Sequence, residues 1–309
     1  MKLPKFSIIV PVYFNELNLP ETIPQLLALE AGLPGYQLEL VFVDDGSGDA
    51  SLEILLDYRR QFPDTITVVK LTRNFGAIAA VQAGLTVASG DCVGVTAADL
   101  QDPPELFIEM ITHWENGVKA VLAVRSDREE PFLQKLFSNT YYACMRRFAI
   151  PNYPAGGFDF ILVDRQIVEE VNRIQEKNTN IMSLIFWLGH KHVLIPYVRR
   201  SRTKGVSRWT FSKKMKLFID SFVAFSYLPI RALSVLGLVI AASAFVYGIV
   251  VFYGWLAYGN EVKGWASLMV LLAFTAGIQM AMLGVLGEYL WRTLDESRKR
   301  PGYVIDTVF

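Results

Sequence analysis

Two stretches of the chain carry no charged side chain: Ala232 to Gly259 and Gly264 to Gly287. A helix needs about 20 apolar residues to cross the roughly 30 Å hydrocarbon core of a bilayer. Both runs exceed that length, and core helices of soluble domains seldom extend so far without a charge. Only Asn260, Glu261, Val262 and Lys263 join the two runs. The expectation is two transmembrane helices, 232–259 and 264–290, folded as a tight antiparallel hairpin and followed by a cytoplasmic tail, 291–309. Lys213, Lys214, Lys216 and Arg231 precede the first run, Arg292, Arg298, Lys299 and Arg300 follow the second, and the tip offers only Lys263. The positive-inside rule then puts both outer ends, and the large N-terminal domain with them, in the cytoplasm. The expected location is the plasma (inner) membrane, multi-pass. The opening Met1-Lys2-Leu3-Pro4-Lys5 runs straight into a strand-like segment and reads as no signal peptide.

The residues before the hairpin alternate between two periods. Phe6 to Val12, Leu38 to Val43, Ile66 to Leu71, Cys92 to Thr96 and Ala120 to Val124 read as buried strands. Helix-period segments fall between them, at about 18–30, 49–60, 76–88 and 103–116. Strands alternating with helices imply an α/β domain, 1–210, with a mostly parallel sheet covered on both faces. Beyond residue 131 the pattern is more helical, with further strands near 158–163 and 193–198. Phe218, Phe222 and Phe225 recur at helical spacing beside the lysines, so 211–231 reads as an amphipathic helix in the membrane interface. Its plainer alternative is a core helix of the soluble domain.

Ligands of open α/β sheets sit at the carboxyl ends of the strands. The polar clusters fall there: Tyr13 to Glu16, Asp44 to Ser47, Arg73 to Gly76 and Asp99 to Asp102. Hard cations take oxygen ligands, and Asp99 with Gln101 offers them just after a strand. Asp102, ahead of Pro103 and Pro104, reads as the N-cap of the next helix. Asp44 to Asp49 could meet a base or ribose, although DG and SGD are also ordinary turn chemistry. No GxGxxG or P-loop pattern is present. Lys+Arg and Asp+Glu balance at 30 each, so no global charge points to nucleic acid. Cys92 and Cys144 lack metal or disulfide spacing. His190 and His192 read as surface or packing residues without an acidic partner, and Glu288 as the partner of Arg292 one turn on.

In their order and spacing these clusters resemble family 2 glycosyltransferases of the GT-A fold. The likeness is closest to polyprenyl-phosphate glycosyltransferases: dolichol-phosphate mannose synthases and the bacterial enzymes that glycosylate undecaprenyl phosphate. It rests on Pro11 to Glu16, Val43 to Ser47, Arg73 to Gly76, Asp99 to Glu105, Arg125, the strand bearing Asp159, and Arg202 to Trp209. It continues through the two apolar runs to Lys299-Arg300-Pro301-Gly302-Tyr303. The resemblance implies a GT-A, Rossmann-like catalytic domain that transfers a hexose with inversion from a nucleotide-sugar, UDP-glucose by first guess, to undecaprenyl phosphate. By the same resemblance Pro11, Tyr13, Glu16 and Asp45 line the nucleotide site, and Asp99 and Gln101 hold Mg2+ or Mn2+. Asp159 stands with Asp99 as a catalytic carboxylate, and Arg125, Arg202, Ser207 and Arg208 meet phosphate of the acceptor. The implied partners are the donor, the lipid acceptor and the bilayer, with self-association through the hairpin open.

One position departs from the pattern. The family places a carboxylate two residues before Asp99, where this chain has Ala97. Fewer ligand charges weaken cation binding. Two alternatives remain open at this point: a processive polysaccharide synthase with the same core, and a nucleotide-sugar-binding membrane protein impaired in catalysis. Arg208-Trp209 is shared with the first, but Gly205 stands where its glutamine belongs, and one hairpin gives little room for a channel. Arg199 and Arg200 fit either acceptor phosphate or anionic headgroups.

Overall fold

The computed structural model describes residues 3–125, 139–154, 157–174, 176, 179–200, 220, 223–258 and 264–309. The chain divides into two units: Met1–Ala224 with Pro301–Phe309, and Phe225–Arg300.

The first unit is built on eight strands: β1 Lys5–Val12, β2 Gln37–Asp44, β3 Ile66–Leu71, β4 Cys92–Val95, β5 Ala120–Arg125, β6 Phe160–Asp164, β7 His192–Tyr197 and β8 Ile305–Val308. They form one sheet in the order β7-β5-β6-β4-β1-β2-β3-β8. β1 pairs in parallel with β2 and β4, β2 with β3, and β5 with β7. β6 runs antiparallel between β4 and β5, and β8 antiparallel to β3. β1 and β2 are almost wholly buried because helices cover both faces, which is why both read as continuous apolar runs. The helices are α1 Leu19–Leu27, α2 Leu29–Gly32, α3 Ser51–Gln61, α4 Ala77–Val87, α5 Leu106–Glu115, α6 Arg165–Arg173 and α7 Ile181–Trp187.

Packing sets α5 beneath the loop that follows β4. Phe107 of α5 meets Phe6 and Phe160 edge-on, with ring centroids 5.2 and 4.5 Å apart. Gly94 of β4 makes the approach possible, since a Cβ there would lie 2.4 Å from the Phe107 ring. Such edge-to-face pairs add roughly 1 kcal/mol each beyond the area they bury. At the amino edge of the sheet, buried Glu39 accepts from Lys5 Nζ (2.7 Å), Ser7 Oγ (2.5 Å), Ser89 N (2.8 Å) and Ser89 Oγ (2.8 Å). The bonds join β1, β2 and the turn before β4. Burial works against its charge, yet these donors outweigh it and hold the carboxyl below the usual glutamate range.

β8 was not foreseen. The segment read as a tail instead pairs with β3, aligning Val308 with Val69 and Ile305 with Leu71 across a bulge at Lys70/Leu71. Asp306 meets Lys70 at 2.6 Å, and Thr72 N donates to Val304 O at 3.0 Å. β8 thereby covers an edge that would otherwise present open backbone groups.

The second unit holds two long helices, α8 Leu228–Tyr258 (31 residues) and α9 Trp265–Ser297 (33 residues). They pack antiparallel: Gly237 faces Met282, where a Cβ would meet Met282 Cε at 2.9 Å. Among the described residues one stretch, Leu228–Val250, is long and apolar enough to cross a membrane, and none of it is buried. Its serine hydroxyls bond to their own helix, Ser234 to Ile230 O (2.9 Å) and Ser243 to Val239 O (2.8 Å). Glu288 pairs with Arg292 as expected, accepting from Nη2 at 2.8 Å. Most of 211–231 lies outside the described residues.

Removing one partner from a buried ion pair costs about 3 kcal/mol or more. Glu39→Ala should therefore lower unfolding stability by about that amount in denaturant melts near neutral pH. Because the folded carboxyl titrates low, the Glu39 contribution is present above the ordinary glutamate pKa and is lost as pH falls through its depressed folded value. The Ala variant should therefore lose less stability than the parent on acidification.

Candidate active site

Strand direction gathers the polar loops. β1, β2, β3 and β4 run the same way, so the segments after Val12, Asp44, Leu71 and Val95 leave from one edge. β6 runs the opposite way with Ile161 against Val95, which sets Asp159, just before it, beside the end of β4. β5 and β7 end together, with Arg125 opposite Tyr197. The carboxyl ends of six strands and the leading ends of β6 and β8 thus lie along one edge.

On one side of that edge three loops are fastened to each other. Phe14, with φ of 56°, turns the chain after β1, and its N–H donates to Ser47 Oγ at 3.1 Å. Asn15 N donates to Ser51 Oγ (2.8 Å), and Glu16 Oε2 accepts from Ala50 N (3.0 Å). Asp45 is buried and accepts from Phe75 N (2.7 Å) and Gly76 N (2.8 Å), so it fixes the loop that starts α4. Gly46, with φ of 69°, lies so close to this loop that a Cβ would stand 2.7 Å from the Arg73 carbonyl carbon. Only glycine meets both conditions. Asp44 turns back on Ser47 N at 3.3 Å, and burial pushes its carboxyl up. Pro11 sits within β1 opposite Val43, behind these loops.

The loop after β4 is strained. Leu100 has φ of 54°, and Asp99 Oδ1 accepts from Gln101 N at 3.3 Å across it. Gln101 is clasped to the chain beyond β7: Arg200 N donates to its carbonyl (2.8 Å), and its Nε2 donates to Arg200 O (3.3 Å). Asp102 is corrected by the structure. α5 begins at Leu106 behind Glu105, with no side-chain cap, because Pro103 and Pro104 form a turn ahead of it. Asp102 is buried, accepts from Tyr197 OH at 2.5 Å and faces Arg199 Nε at 3.5 Å. Burial pushes its carboxyl up, against the opposing pull of Arg199 and Tyr197.

Arg125 and Asp159 come together, with Nη2 donating to Oδ2 at 2.5 Å. Arg125 is 14 % exposed and Asp159 69 %, so the arginine is set in the wall and the carboxylate projects from it. Burial disfavours the guanidinium charge, but Asp159 and Tyr197 outweigh that and its pKa lies above the usual arginine value. Arg199 and Arg200 turn to Asp102 and Glu105, the latter at 3.4 Å, and so belong to the loop after β4. Arg202, Ser207 and Arg208 lie outside the described residues. His190 is also corrected: it meets Glu170 Oε2 at 2.6 Å, far along the chain from any acid near it in sequence. Tyr197 was missed, and its only signal was a place at a strand end.

An α/β sheet of mostly parallel pairing, with its polar loops at one carboxyl edge, is the architecture of a GT-A glycosyltransferase. Residues 7–188 match the model of Glycosyl transferase family 2, and the chain belongs to that family. It is 37% identical over 303 residues to the uncharacterized glycosyltransferase YkcC of Bacillus subtilis, covering 97% of this chain and 93% of the relative. It is 35% identical over 305 residues to the prophage bactoprenol glucosyl transferase homolog of Escherichia coli, covering 98% and 99%. Among solved structures, a Pyrobaculum calidifontis mannosyltransferase in complex with GDP-Man and Mn2+ shares the fold, with a TM-score of 0.51 and 17% identity over 96% of this chain and 88% of that one.

Two groups here could hold a hard cation: the Asp99 carboxylate at the strand end, and the carbonyl oxygen of the Gln101 amide, whose nitrogen is anchored to Arg200 O. Thr96 Oγ1, one residue before Ala97, is buried and makes no hydrogen bond. Among the described residues no three His, Cys, Asp or Glu side chains cluster as metal ligands. If position 97 adjoins the cation, Ala97→Asp should tighten Mn2+ binding in the presence of UDP on the order of tenfold by calorimetry. Unchanged affinity would remove position 97 from the site.

Proposed function

We propose that the protein transfers a hexose, UDP-glucose being the first donor to test, to a polyprenyl phosphate, giving a lipid-linked sugar. The observation that carries this reading is that the loop of Asp99 and Gln101 and the Arg125–Asp159 pair leave the sheet at the same edge. Donor diphosphate and acceptor phosphate need opposite charge near one another. A relative named as a bactoprenol glucosyl transferase homolog over nearly the full chain supports the acceptor class.

The chemistry asks little of a base. A lipid phosphate oxygen is already anionic near neutral pH, so no strong general base has to remove a proton. That oxygen attacks the anomeric carbon, the bond to the leaving diphosphate breaks, and direct displacement inverts the centre. Arg125 would stabilise the acceptor phosphate and orient Asp159, and Asp159 would align the acceptor or sugar. Mg2+ or Mn2+ held by Asp99 and Gln101 would neutralise the leaving diphosphate. Pro11, Tyr13, Glu16 and the Asp45 loop would bound the nucleotide, with Arg202, Ser207 and Arg208 completing the phosphate contacts.

The same proposal places α8 and α9 in the membrane. Roughly 1.5 Å of rise per residue makes each long enough to cross. The chain leaves the catalytic unit after Ala224 and rejoins it at Pro301. A segment that leaves and returns to one water-soluble body crosses a bilayer an even number of times. Crossing by α8 therefore requires crossing by α9, with the catalytic domain on the cytoplasmic side as the flanking charges suggest. A C-terminal tag accessible from outside intact cells would reject this arrangement. Self-association of the hairpins is part of the proposal, because two helices bury little of each other.

The purified protein, incubated with Mn2+, undecaprenyl phosphate and a panel of nucleotide-sugars, should yield one lipid product a single hexose heavier by mass, with inverted anomeric configuration. EDTA should abolish its formation. A polymeric product, or no transfer from any donor, would overturn the reading.

A further inference from the structure

A chain of polar groups runs from the interior of the sheet to the exposed Asp159. Asp102 has a side chain only 1 % exposed and accepts the Tyr197 hydroxyl at 2.5 Å. Tyr197, itself buried, stands opposite Arg125 in the β5/β7 register, and its oxygen and the guanidinium act on each other's charge. Arg125 in turn holds Asp159 at 2.5 Å. The groups come from four places: the loop after β4, the end of β7, the end of β5 and the start of β6. With its proton given to Asp102, the Tyr197 oxygen presents a lone pair to the guanidinium. Each bond polarises the next along the buried part of the chain, at Asp102 and Tyr197.

Packing alone does not require this arrangement. A buried carboxylate and a buried guanidinium both cost desolvation, and well-packed apolar residues often serve stability as well or better. What the chain of bonds provides is direction. Arg125 Nε is buried and makes no hydrogen bond, so the guanidinium is held by its outer nitrogens. Asp159, 69 % exposed, takes its side-chain hydrogen bond among the described residues from Arg125.

We propose that Asp102 and Tyr197 are positioning residues that set the Arg125–Asp159 pair for the acceptor. The proposal rests on the polyprenyl-phosphate reading above. Asp102 and Tyr197 touch neither substrate. Their influence passes through Arg125, so it should fall on turnover and spare the donor.

The experiment compares Tyr197→Phe, Asp102→Asn, Arg125→Lys and the Tyr197→Phe/Arg125→Lys double variant in the full-length protein. Formation of the glycosylated undecaprenyl phosphate is measured with the nucleotide-sugar that the parent protein consumes. Tyr197→Phe and Asp102→Asn should each lower kcat at least about tenfold, toward the roughly hundredfold that a misplacement of about 1 Å can cost. The KM for the nucleotide-sugar and the Mn2+ concentration for half activity should stay within about twofold, since neither residue serves the donor side. The double variant should be no more than about twofold worse than the worse single variant, because both changes break one chain. Multiplying losses would overturn the proposal, as would parent-like kcat in Tyr197→Phe. A shift in Mn2+ half-saturation that accompanies the loss would also overturn it, by assigning the effect to the loop bearing Asp99. Should Asp102→Asn fail to fold, the Tyr197/Arg125 cycle decides alone. A parent protein that glycosylates no lipid with any donor rejects the underlying reading, and the positioning role with it.

Discussion

Reversal of one strand decides where chemistry can occur in this protein. In a wholly parallel sheet each strand delivers only its trailing loop to the carboxyl edge. β6, antiparallel between β4 and β5, delivers its leading residue there instead. Asp159 thereby arrives next to Arg125 and near the loop of Asp99 without a long connection. The register of Val95 with Ile161 and of Ala123 with Phe160 leaves no freedom in the matter, because a slip of one residue would turn the buried faces outward. The pairing of Phe107 with Phe6 and Phe160 across Gly94 then locks β1, β4, β6 and α5 into one block.

The same logic explains what could be read from sequence. Buried strands such as Leu38 to Val43 and Ile66 to Leu71 are legible because both faces are covered, so every residue reports burial. The places of the polar clusters at one edge were legible too, because each buried strand marks where its loop must leave the sheet. β8 was not, because Ile305 to Val308 is short and mostly exposed, an edge strand whose identity lies in its partner. Asp102 was misread for a related reason. Its two prolines suggest a cap, whereas its burial depends on Tyr197 and Arg199, nearly a hundred residues further along the chain. Local signals cannot report such distant partners. His190 illustrates the same point through Glu170.

Strain and satisfaction are distributed unevenly. The amino edge, around Glu39, has its bonds made and its turns tied down. The carboxyl edge holds the non-glycine residues Phe14 and Leu100 in the left-handed region and the unbonded Thr96 hydroxyl. Left-handed backbone at a non-glycine residue costs roughly 1 kcal/mol or more and persists where surroundings dictate it. Here Phe14 is fastened by the Ser47 hydroxyl, and Leu100 lies between Asp99 and the Gln101–Arg200 clasp. β8 adds a further tie, since the chain returning from the two long helices ends beside β3, the strand that leads to the Arg73–Gly76 loop.

The central claim is that this carboxyl edge receives both a cation-bound diphosphate and a lipid phosphate. Anomalous scattering from a crystal grown with Mn2+ and UDP would test it most directly. The account predicts one manganese peak within bonding distance of an Asp99 carboxylate oxygen, with the uracil lying against the Tyr13–Glu16 loop. A peak away from Asp99, or a nucleotide bound at the Glu39 edge of the sheet, would contradict it.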